Sequence, residues 1–318
     1  MLDALLDRSI LLSFDRTGFR RHARRFVPGE LDVRGEGSTA IVTGASSGLG
    51  LAIAEGLLAR GLDVILAVRD LAKGVRVRQG LGALSARARV MRLELGDLGS
   101  VRSFAHALEG TRVDVLVHNA GALLDRHELT GDGLETTTAV HLVGPTLLSH
   151  LLWPALSRSP DARLVHVSSG GMYGVALDVD ALFDARAEPA FDGVRRYALA
   201  KRAQVVMTEE IARRCAGSVV TASAMHPGWA DTPGVRTSLP RFYALTRPFL
   251  RTPAEGADTA LFLALAARGR EANGRFYFDR APARTHLRAQ TIEREGERAR
   301  LWDRVAKIAG LPEDAFRA

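Results

Sequence analysis

Apolar positions fall along the chain in two alternating rhythms. Short, nearly unbroken apolar runs occur at TAIVTG (39–44), DVILAV (63–68), ARVMRLEL (88–95), VDVLVH (113–118), RLVHVSS (163–169), VVTASAMH (219–226) and GRFYF (274–278). Between most of them the spacing is helical, as in GLAIAEGLLARG, SVRSFAHALEG, AVHLVGPTLLSHLLWPAL, YALAKRAQVVMTEEIARRC and AEGADTALFLALAARG. Strand and helix in turn predict an α/β fold with a doubly wound, mostly parallel, seven-stranded sheet. The strands lack a polar face, as expected where helices cover both sides of the sheet.

The ends of the chain break this rhythm. Residues 1–37 are expected to form an N-terminal extension, 38–290 the main domain and 291–318 a C-terminal tail. In the extension, Leu2, Leu5, Leu6, Ser9 and Ile10 suggest a helix with one apolar face. The next stretch, RTGFRRHARRF (16–26), is strongly basic. It is expected to be a solvated loop, or else a cover over the substrate or a point of peripheral membrane contact. EREGERAR in the tail is expected to be a solvated helix or loop. Residues 170–193 and 227–251 are the long irregular stretches, and such loops are usually functional.

Composition narrows the class. The formal charge is +7, but Lys and Arg are scattered rather than gathered in one tract, so nucleic acid is not an expected partner. A single cysteine, Cys215, rules out an internal disulfide and fits a reducing, cytoplasmic setting. Asp3, Asp7 and Asp15 interrupt any leader-like apolar core, and no apolar stretch reaches membrane-span length.

Chemistry gathers where strands end. The first strand runs into TGASSGLG (43–50), whose Gly44, Gly48 and Gly50 sit between an apolar strand and an amphipathic helix. A turn of this kind lets the backbone approach a pyrophosphate at the helix N-terminus, as in a Rossmann-type fold. The second strand ends AVRD (67–70): Arg69 suits the extra phosphate of NADP, whereas Asp70 could argue for NAD. The fourth ends HNAG (118–121), and the fifth ends in Ser168 and Ser169.

Tyr197 and Lys201 then lie four residues apart and share a helix face. Among 43 Lys+Arg only Lys73, Lys201 and Lys307 are lysines, so a compact ammonium at 201 is a pointed choice. Such an ammonium is expected to stabilise phenolate and lower the tyrosine pKa. A phenol within reach of a carbonyl oxygen is the acid that hydride addition needs.

In this order TGASSGLG, HNAG, VSS, YALAK and HPGWADT resemble the short-chain dehydrogenase/reductase superfamily over residues 38–280. A narrower likeness is to the group called short-chain dehydrogenase/reductase family member twelve. It is carried by SSGGM, the FDG before the tyrosine, MHPGWADTPGVR and GRFYFDRAPARTHL. The resemblance implies an NADP-dependent oxidoreductase acting between a carbonyl and an alcohol, with NADP(H) preferred over NAD(H), no metal, and homo-oligomers as a family habit.

By position it makes Tyr197 the general acid/base, Lys201 the ribose ligand and Ser169 the group that orients the substrate carbonyl. Gly44, Ser46, Ser47, Gly48, Leu49 and Gly50 would cradle the pyrophosphate, Arg69 the adenosine phosphate, and Asp97 and Leu98 the adenine. Asn119, Ala120 and Gly121 would line the ribose, and Pro227, Gly228 and Thr232 the nicotinamide. The family's asparagine after the fourth strand, which holds a water linking lysine to solvent, is His141 here. An imidazole could hold the same water, could titrate near neutral pH, or could impair the relay. The last case motivates a second reading, a cofactor-binding sensor or scaffold without turnover.

A lid over 229–251 carries Trp229, Leu239, Phe242, Tyr243, Leu245 and Phe249. With Ser169, Gly171 and Met172, and with Tyr173 beside them, it predicts a pocket for an apolar aldehyde, ketone or alcohol.

Overall fold

The computed structural model describes residues 10–184 and 191–317. The expected apolar helix carried by Leu2, Leu5, Leu6, Ser9 and Ile10 lies outside them except for Ile10. Eight strands form one sheet: β1 (Thr39–Thr43), β2 (Asp63–Val68), β3 (Ala88–Arg92), β4 (Val115–His118), β5 (Ala162–Val167), β6 (Val220–Met225), β7 (Phe276–Phe278) and β8 (Ala281–Pro282). Their order is β3-β2-β1-β4-β5-β6-β7-β8, parallel throughout except the β7–β8 hairpin. The eighth strand was not expected. It exists because Asp279 (φ 49°) and Arg280 (φ 57°) turn the chain back in two residues.

Strand periodicity divides the core into two layers. Ile41, Ile65, Leu116 and Leu164 face one layer, whereas Ala40, Val42, Val64 and Leu66 face the other. The second layer is covered by the helix after β1, Gly48–Leu58, and by the helix Pro253–Leu265. The first is covered by Leu98–His106, by the paired segments Ala139–Val143 and Gly144–Leu151, by the long helix Gly193–Arg214, and by Glu297–Ala309.

Two helices had no signal in the apolar pattern. Leu71–Gly80 leaves Leu71 and Val75 exposed and packs through Gly74, where a Cβ would sit 2.7 Å from Val90. Glu297–Ala309 begins inside EREGERAR, expected as a solvated helix or loop, yet it buries Leu301, Trp302 and Val305 in the main core.

The stretch expected as a solvated basic loop is instead a helix, Arg16–Ala23, capped by Asp15. The segment before it, Ile10–Phe14, inserts Phe14 beside His226, with ring centroids 4.3 Å apart. Arg251 fastens the arm: its guanidinium donates to the carbonyl oxygens of Ser13, Phe14 and Asp15 while pairing with Asp279 at 2.5 Å. Among the described residues no helix is long and apolar enough to cross a membrane.

Candidate active site

The progression of strand order reverses between the parallel neighbours β1 and β4, and a cleft opens outside their carboxyl ends, where such sheets bind ligands. Thr43 and Asn119 staple the two strand tips together. The Thr43 hydroxyl oxygen accepts from the N–H groups of Asn119 and Ala120 at 3.0 Å, and the Asn119 amide donates to the Thr43 carbonyl at 3.0 Å.

The glycine turn lies against this staple. Gly44 has φ +69° and touches Ala120, and a Cβ on Gly50 would sit 2.4 Å from Asn119 Nδ2. Ser47, at the N-cap of Gly48–Leu58, makes no capping bond, so the first-turn amides face the cleft without a side-chain partner. Uncapped amides, a positive helix end and a cleft of about 1340 Å³ fit a dinucleotide with space left for a second molecule.

At the far side of the cleft, β5 ends in two serines that point differently. Ser168 donates to the Lys201 carbonyl at 3.0 Å and is buried, whereas the Ser169 hydroxyl oxygen accepts from the Gly171 N–H at 3.2 Å and eases ionisation of the Tyr197 phenol. Lys201 is 2% exposed and donates to the Val167 carbonyl at 2.7 Å and to Gln204 Oε1 at 3.2 Å. Its Nζ lies 5.7 Å from the centre of the Tyr197 ring. Burial brings its pKa down to about 7. Tyr197, Lys201, Ser169, the glycine turn and Asn119, Ala120 and Gly121 thus line one cleft.

That arrangement matches a family model described as short chain dehydrogenase over residues 38–178. The chain is 38% identical over 306 residues to dehydrogenase/reductase SDR family member 12 of Bos taurus, covering 94% of this chain and 95% of that one. The chain belongs to the short-chain dehydrogenase/reductase family. It is also 33% identical to retinol dehydrogenase 12 of Bos taurus, over 91% of this chain and 92% of that one. A solved Beutenbergia cavernae protein, assigned provisionally as an NAD(P)-dependent gluconate 5-dehydrogenase and carrying NADP at low occupancy, aligns with a TM-score of 0.62. It shares 26% identity, covering 76% of this chain and 95% of that one. As a member of this family the chain is an oxidoreductase with an NAD(P)-binding Rossmann-type fold.

Most residues assigned by family motif reach the cleft: Gly44, Ser46, Ser47, Gly48, Leu49, Gly50, Arg69, Asp97, Asn119, Ala120, Gly121, Pro227, Gly228 and Thr232 line it, as do Gly171, Trp229 and Phe242. Several expectations are corrected. Leu98 is core, and its N–H is held by Asp132 at 3.1 Å. Met172, fully buried, packs with Phe14, Tyr173 and Phe276 in a satellite cluster behind the wall rather than facing the cleft. Tyr173 lies there too, with its hydroxyl donating to the Arg284 carbonyl.

The remaining corrections are electrostatic. Lys201 does not lower the Tyr197 phenol; burial raises it, opposed only by the Ser169 hydrogen bond. Nor does His141 titrate near neutrality. It is fully buried in the π-helical turn Ala139–Val143, and burial and then Lys201 bring it down to about 3. Its ring stands edge-on to Tyr197 at 5.2 Å, and its Nε2 lies 2.9 Å from the Ala122 carbonyl oxygen and 3.0 Å from the Ala122 nitrogen. Gly121 fits because a Cβ there would meet this ring at 2.5 Å.

Three useful residues had escaped notice. Lys73 lines the cleft near Arg69, and the scarcity of lysine that marked Lys201 marks it equally. Asp70 accepts from the Lys73 N–H as a helix cap, which occupies one carboxylate oxygen. Gln204 and Thr43 carried no signal, since their importance comes from partners far along the chain.

Proposed function

We propose that this chain is an NADP(H)-preferring reductase of apolar aldehydes and ketones, working through Tyr197, Ser169 and Lys201. The observation that carries the reading is the meeting of Tyr197, Ser169 and buried Lys201 at the cleft that also holds the glycine turn. The nicotinamide supplies the hydride. The protein's own groups do the rest. Ser169 donates to the carbonyl oxygen and fixes its place. Tyr197, protonated at neutral pH, hands its proton to that oxygen. Lys201 offers donors to the ribose hydroxyls beside it.

Arg69 is four-fifths exposed at the tip of β2 and sits 3.5 Å from Glu94, so its guanidinium is accessible to a phosphate; Lys73 adds a second cation. With Asp70 engaged as a cap, these two argue for NADP. The substrate side of the cleft presents Leu124, Val175, Val194, Trp229, Leu239 and Phe242, an apolar wall. The NADP in one related structure and the retinol-directed name of one relative point the same way.

The test titrates NADPH and NADH by fluorescence, then follows absorbance at 340 nm over a panel of apolar aldehydes and ketones. Turnover with NADPH and weaker binding of NADH are expected. Tight cofactor binding with no turnover on any carbonyl would leave the sensor reading; a preference for NADH would remove the role given to Arg69.

A further inference from the structure

Gln204 lies three residues after Lys201 on the same face of Gly193–Arg214, and it is 2% exposed. Both ends of its amide are engaged. Oε1 accepts from Lys201 Nζ at 3.2 Å, and Nε2 donates to the His141 carbonyl at 3.3 Å. The latter carbonyl belongs to the π-helical turn, a local widening often found at functional sites.

A lysine ammonium has three donors on a flexible stem. Here the Val167 carbonyl and Gln204 take two of them, which leaves one for the cleft that Lys201 lines. The His141 ring has a different occupation. Its Nε2 is bonded to Ala122 and the ring packs on Tyr197. The hydrogen-bond link from the residue at the family's asparagine position to the lysine therefore runs from its backbone carbonyl through the amide of Gln204.

We propose that Gln204 is a positioning residue for Lys201, tying its ammonium to the His141 carbonyl and aiming its remaining donor into the cleft. The inference rests on the role given to Lys201 above. The titratable groups facing Lys201 are Tyr197 on its own helix, His141 in the π-helical turn, His118 on β4 and His166 on β5. Burial holds the histidines neutral, His141 and His166 down to about 3 and His118 well below its ordinary value. None of the three adds a charge at neutral pH, so a carboxylate placed at 204 would be the nearest new influence on the lysine.

The scarcity of lysine makes this measurable. Protein grown with ¹³Cε-lysine gives signals from Lys73, Lys201 and Lys307 only, assigned with K73R and K307R. In Q204E the Lys201 signal is expected to titrate about one pH unit or more above wild type, because an acceptor becomes an anion. The acidic-to-neutral limb of kcat/KM moves with it. In Q204M, which keeps the side-chain shape and removes both hydrogen bonds, kcat is expected to fall about tenfold or more, through loss of alignment. If Q204M melts below assay temperature, Q204E decides alone. A Lys201 titration in Q204E within about 0.3 unit of wild type, against the unit expected from a contacting carboxylate, would overturn the proposal. So would a folded Q204M with wild-type kcat and pH profile. The NMR titration needs no turnover, so failure to find any substrate would count against the proposed function and leave this inference to be decided separately.

Discussion

The two walls of the cleft are built by different means. The cofactor wall is backbone: the glycine turn, the tips of β1 and β4, and the uncapped start of Gly48–Leu58, joined by the short bonds of Thr43 and Asn119. Its close approaches leave no room for a Cβ at Gly50. The substrate wall is side chain. Trp229 stacks edge-on against Phe242 at 5.1 Å, and Phe14 backs Trp229 from the N-terminal arm at 6.3 Å. Arg251 and Asp279, from two further segments, hold it in place. A backbone wall tolerates substitutions that keep its few glycines and the Thr43–Asn119 bonds; a side-chain wall can change with each substitution and so can set what the cleft accepts.

The comparison can be broken at its most expensive point first. Arg251 is 1% exposed and paired with a buried carboxylate. Arg251→Met is expected to cost about 3–5 kcal/mol in chemical denaturation, because Asp279 is left buried with one cation fewer. If the walls are independent, the NADPH Kd of the folded variant stays within about threefold of wild type, far less than one tenfold step of affinity.

Next comes the cofactor wall. Gly50→Ala drives a methyl into Asn119 and Gly44, and NADPH binding is expected to weaken about a hundredfold, roughly 2.7 kcal/mol. Unchanged affinity would mean that the turn does not hold the pyrophosphate. A smaller effect sharpens the cofactor end: Arg69→Ala is expected to reduce the NADPH-over-NADH preference about tenfold, or 1.4 kcal/mol, with NADH binding unchanged.

The smallest prediction concerns pH. His141 and His166 beneath Lys201 and His226 behind the substrate wall are each held near 3 against an ordinary 6.5. Their folded pKa values are depressed, so the unfolded chain takes up protons first as pH falls. This contribution to stability is full above 6.5 and is lost progressively towards 3. Lys201, lowered from 10.5 to about 7, has the same sign in its own window, where stability rises with pH. Melting temperature should therefore drop by several degrees, on the order of 5 °C, between pH 6.5 and 5. A flat profile would contradict the neutral, buried state of these rings.

Legibility in the sequence follows the same division. TGASSGLG, HNAG and the serine pair are local patterns at strand ends, and the cleft forms where they predict. Tyr197 and Lys201 are visible because a helix brings i and i+4 together. Met172 was misplaced because a residue three positions beyond Ser169 can face the cleft or the core, and only the packing of Phe14 and Phe276 decides. The arm was misread for a related reason. Its arginines suggest solvent, while its docking depends on Phe14 and on Arg251, more than two hundred residues away. Gln204 was invisible because the carbonyl it holds belongs to another helix. The Tyr197 pKa went the wrong way because spacing reveals a nearby lysine but not how deeply both groups are buried.

The central claim is that Tyr197 supplies the proton while the cofactor wall binds independently of it. Tyr197→Phe removes one oxygen and nothing else, and its kinetics against the best carbonyl of the panel, measured beside its NADPH affinity, test this most directly. The account predicts a fall in kcat of about 10²–10⁴-fold with NADPH affinity within about threefold of wild type. Equal turnover by the two proteins would contradict it.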